Sequence, residues 1–150
     1  MNQHGLSNMM YKNLVYKEYL DIPLDEMGDY LTDFLKLCAI RELEMKDIVI
    51  AKITQITLDQ HINVTFYIPI TNLHIPDEQV NFRSYLIIEE MLHGRIKNQN
   101  YEQEETQVIE DFNYFAREND FKIISPYYHI INYHENFNRV DIKTKIMEME

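Results

Sequence analysis

Twice along this 150-residue chain the spacing of apolar residues changes from two-residue alternation to three- and four-residue steps and back again. Alternation marks strands with one buried face, and the longer steps mark the apolar stripe of a helix. Asn13 to Tyr19 is strand-like. Asp21, Ile22 and Pro23 then open a helix, with Asp25 and Glu26 in the first turn, where the helix dipole favours anions. Leu24, Met27, Leu31, Phe34, Leu35 and Cys38 form its stripe. Lys46 to Ile56 is rich in strand formers, Leu58 to Gln60 turns the chain, and His61 to Ile70 alternates through Ile62, Val64, Phe66 and Ile68. Thr71 to Asn81 reads as a connection.

The same order returns in the second half. Arg83 to Glu90 is a predicted strand and His93 to Asn100 a loop. Tyr101 to Asn119 is a predicted helix, with Asn100 as its cap and Glu102, Glu104 and Glu105 in its first turn. Val108, Ile109, Phe112, Phe115 and Ala116 are its buried stripe. Phe121 to Tyr133 is extended and interrupted at Pro126, and Arg139 to Met147 alternates through Val140, Ile142, Thr144 and Ile146. The expectation is an α+β fold built from a duplicated β-α-β-β unit of roughly 60–65 residues. Its pseudo-repeats cover about 13–70 and 83–147, within a single domain at 13–147 that follows a disordered lead at 1–12. Two such units would pair their strands into one curved antiparallel sheet with both helices on one face, which leaves the concave face available.

Charge and composition remove several function classes. The net charge is −11, from 25 acidic and 14 basic residues. Neither half offers the basic stripe that a phosphate backbone requires, so direct nucleic-acid binding is not expected. Hydrophobic residues at 45% support a packed core. No apolar run approaches the ~18 residues of a membrane helix, and no secretory signal is visible at the start. The lone Cys38 excludes an intrachain disulfide and suits the cytoplasm. On a helix stripe it reads as a small buried hydrophobe.

Several segments resemble the GyrI-like superfamily, the fold of bacterial effector-binding domains attached to transcription regulators. Glu90-Met91-Leu92-His93-Gly94 is similar to the family's strand and His/Gly segment before the second helix. Arg117-Glu118-Asn119-Asp120 leading to Ser125-Pro126-Tyr127-Tyr128-His129 is similar to its polar turn and Pro-containing strand. Val140 to Ile146 is similar to its closing strand. The resemblance implies a domain that binds a small molecule in its concave cleft. Many members carry a glutamate on the strand after the Pro, facing the cleft, for cationic drugs or for hydrolysis. His129 stands at that position here, which weakens both expectations. The chain's overall character also resembles accessory proteins of Gram-positive bacteria, some associated with type VII secretion and its toxin clusters.

Tyr127, His129, Ile131 and Tyr133 alternate onto one strand face, where aromatic walls and one hydrogen-bonding group have the makeup of a small-molecule pocket. Ordinary sheet packing is the competing reading. With Tyr85, the residues Tyr127, His129 and Tyr133 are the candidate ligand-binding set. His61, His74 and His93 have no companion at chelating spacing, and His129 and His134 point to opposite faces, so no metal site is expected. Ser84 and Ser125 sit in no G-x-S-x-G elbow. Gly5, Gly28 and Gly94 stand alone, without a phosphate-cradling loop. No cofactor is implied. The expected function is a non-enzymatic binding module for a small amphipathic or aromatic ligand. Its rival is an adaptor or chaperone that holds a protein partner.

Overall fold

A computed structural model describes residues 6–96, 101–134 and 137–149; of Tyr101, Glu102, Tyr133, His134, Phe137, Asn138 and Arg139 it describes the backbone only. The described residues form seven strands, two α-helices and one 3-10 turn. In order these are β1 (Ser7–Pro23), the 3-10 turn (Leu24–Glu26), α1 (Met27–Ile40), β2 (Ile48–Ile56), β3 (His61–Pro69), β4 (Asn81–Ile96), α2 (Tyr101–Glu118), β5 (Phe121–Ile123), β6 (Tyr127–His134) and β7 (Phe137–Glu148). The fold is α+β with antiparallel strand pairing, as the periodicity implies. The chain divides into two compact units, Tyr11–Leu86 and a second made of Met1–Met10 with Ile87–Glu150.

In the first unit β3 is central, pairing with β1 on one side and β2 on the other. Its residues from Val64 to Pro69 are all buried, which accounts for its density of β-branched and aromatic side chains. Val64, Phe66 and Ile68 share the face under α1. Phe34 of α1 stacks on Phe66 with centroids 6.4 Å apart, and Tyr19 of β1 meets Phe66 edge-on at 5.9 Å. The Tyr19 hydroxyl donates to Asp33 Oδ2 at 2.8 Å, so the aromatic cluster ends in a satisfied polar group. Cys38 is fully buried one turn beyond Phe34, and burial pushes its thiol up to about 11.

In the second unit β7 is the hub, pairing with β4, β5 and β6. Leu92, Ile96, Phe112, Ile142 and Ile146 form its core, with Val108, Phe115, Phe121 and Tyr127 packed against it. Glu90 takes a left-handed backbone, φ 58°, rare for a residue of its type. Beyond it, Leu92, Gly94 and Ile96 turn toward α2, and Met91, His93 and Arg95 turn away. A Cβ added at Gly94 would fall inside the contact distance of Val108 Cγ1, with Cγ2 at 3.2 Å and Cβ at 3.3 Å.

Two boundaries differ from the sequence expectation. β1 begins at Ser7, so Ser7 to Lys12 is strand rather than disordered lead, and Met9 is 2% exposed; the first five residues of that lead lie outside the described residues. β4 continues through His93 to Ile96, because these residues pair with Val140 to Lys143 of β7. The remainder of the expected loop and the Asn100 cap lie outside the described residues.

The seating of α2 on Gly94 gives a direct test. Gly94→Ala should destabilise by about 1–3 kcal/mol, because a stiff β-branched neighbour cannot rotate clear. Gly28→Ala, on exposed helix with nothing within 4 Å of the new Cβ, should stabilise by about 0.5–1 kcal/mol. Urea unfolding of the two variants beside the parent measures both.

Candidate functional site

The face of β6 that carries Tyr127 and His129 is covered by α2. Tyr127 stacks on Phe112 with centroids 6.2 Å apart and planes 11° from parallel, and burial raises its phenol pKa, moderated by a hydrogen bond with Asn113. His129 is 6% exposed, and its Nε2 lies 2.8 Å from Glu105 Oε2. Its Nδ1 is buried and has no hydrogen-bond partner among the described residues. Tyr127 and His129 thus come together as helix-facing packing. Tyr85, 55% exposed, belongs to the other compact unit. The Tyr133 backbone pairs with Asn138, and its side chain lies outside the described residues.

Beside that packed region a cavity of about 390 Å³ opens between β4 and α2. Leu92, Val108, Phe112 and Phe115 supply an apolar lining, Gly94 contributes bare backbone, and Asp111 and Glu118 stand at its polar side. Both carboxylates are on exposed positions of α2, and Asp111 Oδ1 accepts from Gln107 Nε2 at 2.8 Å. The sequence held one signal for this place: an isolated glycine in a strand marks a close approach of another element.

The opposite face of the same strands mixes polar and charged side chains with buried Met91, Tyr128 and Ile130. In register, Arg95 stands across from Asp141, His93 from Lys143 and Met91 from Lys145. Asp141 is 6% exposed, and its Oδ1 accepts from Arg95 Nε at 2.8 Å and lies 3.0 Å from His93 Nε2. Burial alone would raise the Asp141 carboxyl, but the hydrogen bonds and charges of Arg95 and His93 bring it below its ordinary value. Lys143 is partly desolvated, which lowers its ammonium pKa. Local spacing alone places His93 in a loop without companions. Its partner lies 48 positions away, a distance that local spacing cannot reveal.

Two other histidines, His61 and His74, are held by specific partners as well. His61 Nδ1 meets Asp21 Oδ1 at 2.8 Å, which raises the imidazole pKa, and buried His74 meets the Val80 carbonyl at 3.0 Å. Among the described residues no group of three or more His, Cys, Asp or Glu side chains is placed to hold a metal ion. No helix among them is long and apolar enough to cross a membrane.

Residues 10–148 match the model of a family described as a domain of unknown function, DUF5085. The chain belongs to that family. Among solved structures it is similar to the EcmrR C-terminal domain, with a TM-score of 0.63 and 5% identity over 96% of this chain and 99% of that one. It is also similar to EcmrR in its cryo-EM complex with DNA, with a TM-score of 0.74 and 7% identity over 97% of this chain. The chain spans 57% of the length of that DNA-bound protein. No curated protein matches. Identities this low establish the fold alone, and it is the GyrI-like fold expected from the sequence.

The pairing at Asp141 has a pH signature. A carboxyl whose folded pKa is depressed adds stability that is complete above its unfolded value of about 3.9 and is lost as the pH falls through the lower folded value. Asp141→Asn should remove that part of the acid limb and lower neutral-pH stability by roughly 1–3 kcal/mol. Urea midpoints collected from acid to neutral pH on parent and variant measure both effects.

Proposed function

We propose that this DUF5085 protein is a non-enzymatic binding module of GyrI-like type, accepting a small amphipathic molecule with an aromatic body and a cationic group. The observation that carries this reading is the cavity between β4 and α2. Its volume of about 390 Å³ falls in the range of small-ligand sites, and an apolar lining with few polar groups is their usual chemistry. Phe112 and Phe115 would take the aromatic body. Asp111 and Glu118 would take the cation, an interaction that the chain's negative charge favours at long range. Tyr127 serves from behind by holding Phe112 through their stack. The acidic surface argues against direct nucleic-acid binding, and the lone thiol of Cys38 accords with a cytoplasmic setting.

A second reading, an adaptor for a protein partner such as an accessory protein of a secretion or toxin cluster, draws on exposed apolar residues of the first unit. Ile40 at the end of α1 is 75% exposed, and Leu73 and Ile75 are 83% and 80% exposed. The segment that carries the latter two is tied to the end of α1 by Arg41 to Asp77 at 2.8 Å and by Asn72 to the Glu42 carbonyl at 3.1 Å.

Thermal unfolding against a panel of cationic aromatics, neutral aromatics and lipids tests the first reading. A cationic aromatic at 100 times its dissociation constant should add about 2.7 kcal/mol, or about 5–10 °C for a domain this size. The surface variant Asp111→Asn/Glu118→Gln should weaken that ligand about three- to tenfold and leave unliganded stability unchanged. A flat panel, or an affinity indifferent to the double variant, overturns the cavity assignment and favours the adaptor.

A further inference from the structure

The face of β4 and β7 turned away from α2 carries three cations against one carboxylate. In a chain with 25 acidic and 14 basic residues, carboxylates are plentiful, and yet two of these three cations are not matched to them among the described residues. Lys143 Nζ donates to the Asn8 carbonyl at 2.6 Å, and Lys145 Nζ donates to the Glu89 carbonyl at 2.8 Å. Neither forms an ion pair among the described residues. Arg95 gives its Nε to Asp141, and its two Nη groups have no partner among the described residues. Toward the described residues each ammonium uses one of three donors and the guanidinium one of five.

The placement is fixed by backbone pairing rather than by mobile surface chains. Arg95 is directly across from Asp141, and Lys143 is directly across from His93. Arg95 and Lys143 are therefore diagonal neighbours on one face, roughly 7–8 Å apart at the backbone and within reach of each other's long side chains. Arg95 is 42% and His93 32% exposed, which leaves the guanidinium open to solvent while Asp141 fixes its Nε edge. An anchored fork whose Nη groups have no partner among the described residues has the donor geometry that binds carboxylate or phosphate oxygens.

We propose that Arg95, Lys143 and Lys145 form a recognition site for a small oxyanion group, a carboxylate or a phosphate, with Asp141 and His93 as the residues that position the guanidinium. The site lies on the face of β4 and β7 turned away from α2, and Arg95, Lys143 and Lys145 take no part in the cavity beside that helix. Of the site's residues only His93 also borders that cavity, and the substitutions that test the two sites are at different positions. Asp141 has two effects: it orients Arg95 and it competes electrostatically with the incoming anion.

Titration of the full chain with inorganic phosphate and, separately, with citrate, followed by amide chemical shifts at constant ionic strength, tests the site. Saturable shifts centred on β4 and β7 are expected, with millimolar dissociation constants typical of single-group recognition, on the order of 1 mM. Saturation by both probes assigns general oxyanion recognition, and saturation by one names the source. Arg95→Gln should weaken binding about tenfold; Lys143→Gln serves the same purpose if that variant does not fold. Asp141→Asn should tighten binding, because it removes the competing charge, whereas a purely structural ion pair would show only lost stability. No saturable shift by either probe, or curves unmoved by all these substitutions, overturns the proposal.

Discussion

The close seating of α2 on β4 at Gly94 fixes what the rest of the second unit can be. With no Cβ at that position, Val108 descends onto the strand, and the helix brings Phe112 onto Leu92, Ile142 and Ile146. The same descent stacks Phe112 on Tyr127 and Phe115 on Phe121, the latter with centroids 5.9 Å apart. The cavity is the space beside this contact that the helix does not fill. The first unit reaches the equivalent end differently, through a large aromatic core of Phe34, Phe66 and Tyr19. One helix lies close because a side chain is absent, and the other is held by the bulk of those present.

Four of the described histidines are each met by a specific acceptor. His61, His93 and His129 each meet a carboxylate, and His74 meets a carbonyl. These contacts keep the imidazoles oriented, and among the described residues they assemble no convergent set of three or more metal-ligating side chains. Among the described residues, β4 has an apolar cavity with acidic neighbours on one side and a cation-rich face on the other.

Much of this was legible in the sequence because apolar periodicity is a local property. The stripes through Phe34 and Cys38 and through Phe112 and Ala116 are the buried faces of α1 and α2. The alternation of β3 and β6 was likewise readable. Alternation says which residues share a face, however, and not what covers it. Tyr127 and His129 share a face as expected, and that face lies under α2. The start of β1 and the end of β4 were missed because Ser7, Asn8, His93, Gly94 and Arg95 have poor local strand propensity. Their strand state depends on long-range contacts such as Arg95 with Asp141. The cavity and the cation-rich face were illegible for the same reason, since both are made by residues far apart in the chain.

The burial of Cys38 on the inner face of α1 has a practical consequence. With its pKa pushed up to about 11 and its sulfur sealed from solvent, the folded protein offers almost no thiolate to an oxidant or an alkylating reagent. Any modification must wait for α1 to lift from β3. The sole thiol is thus a built-in gauge of how often the first unit opens, in a position where no label has to be engineered.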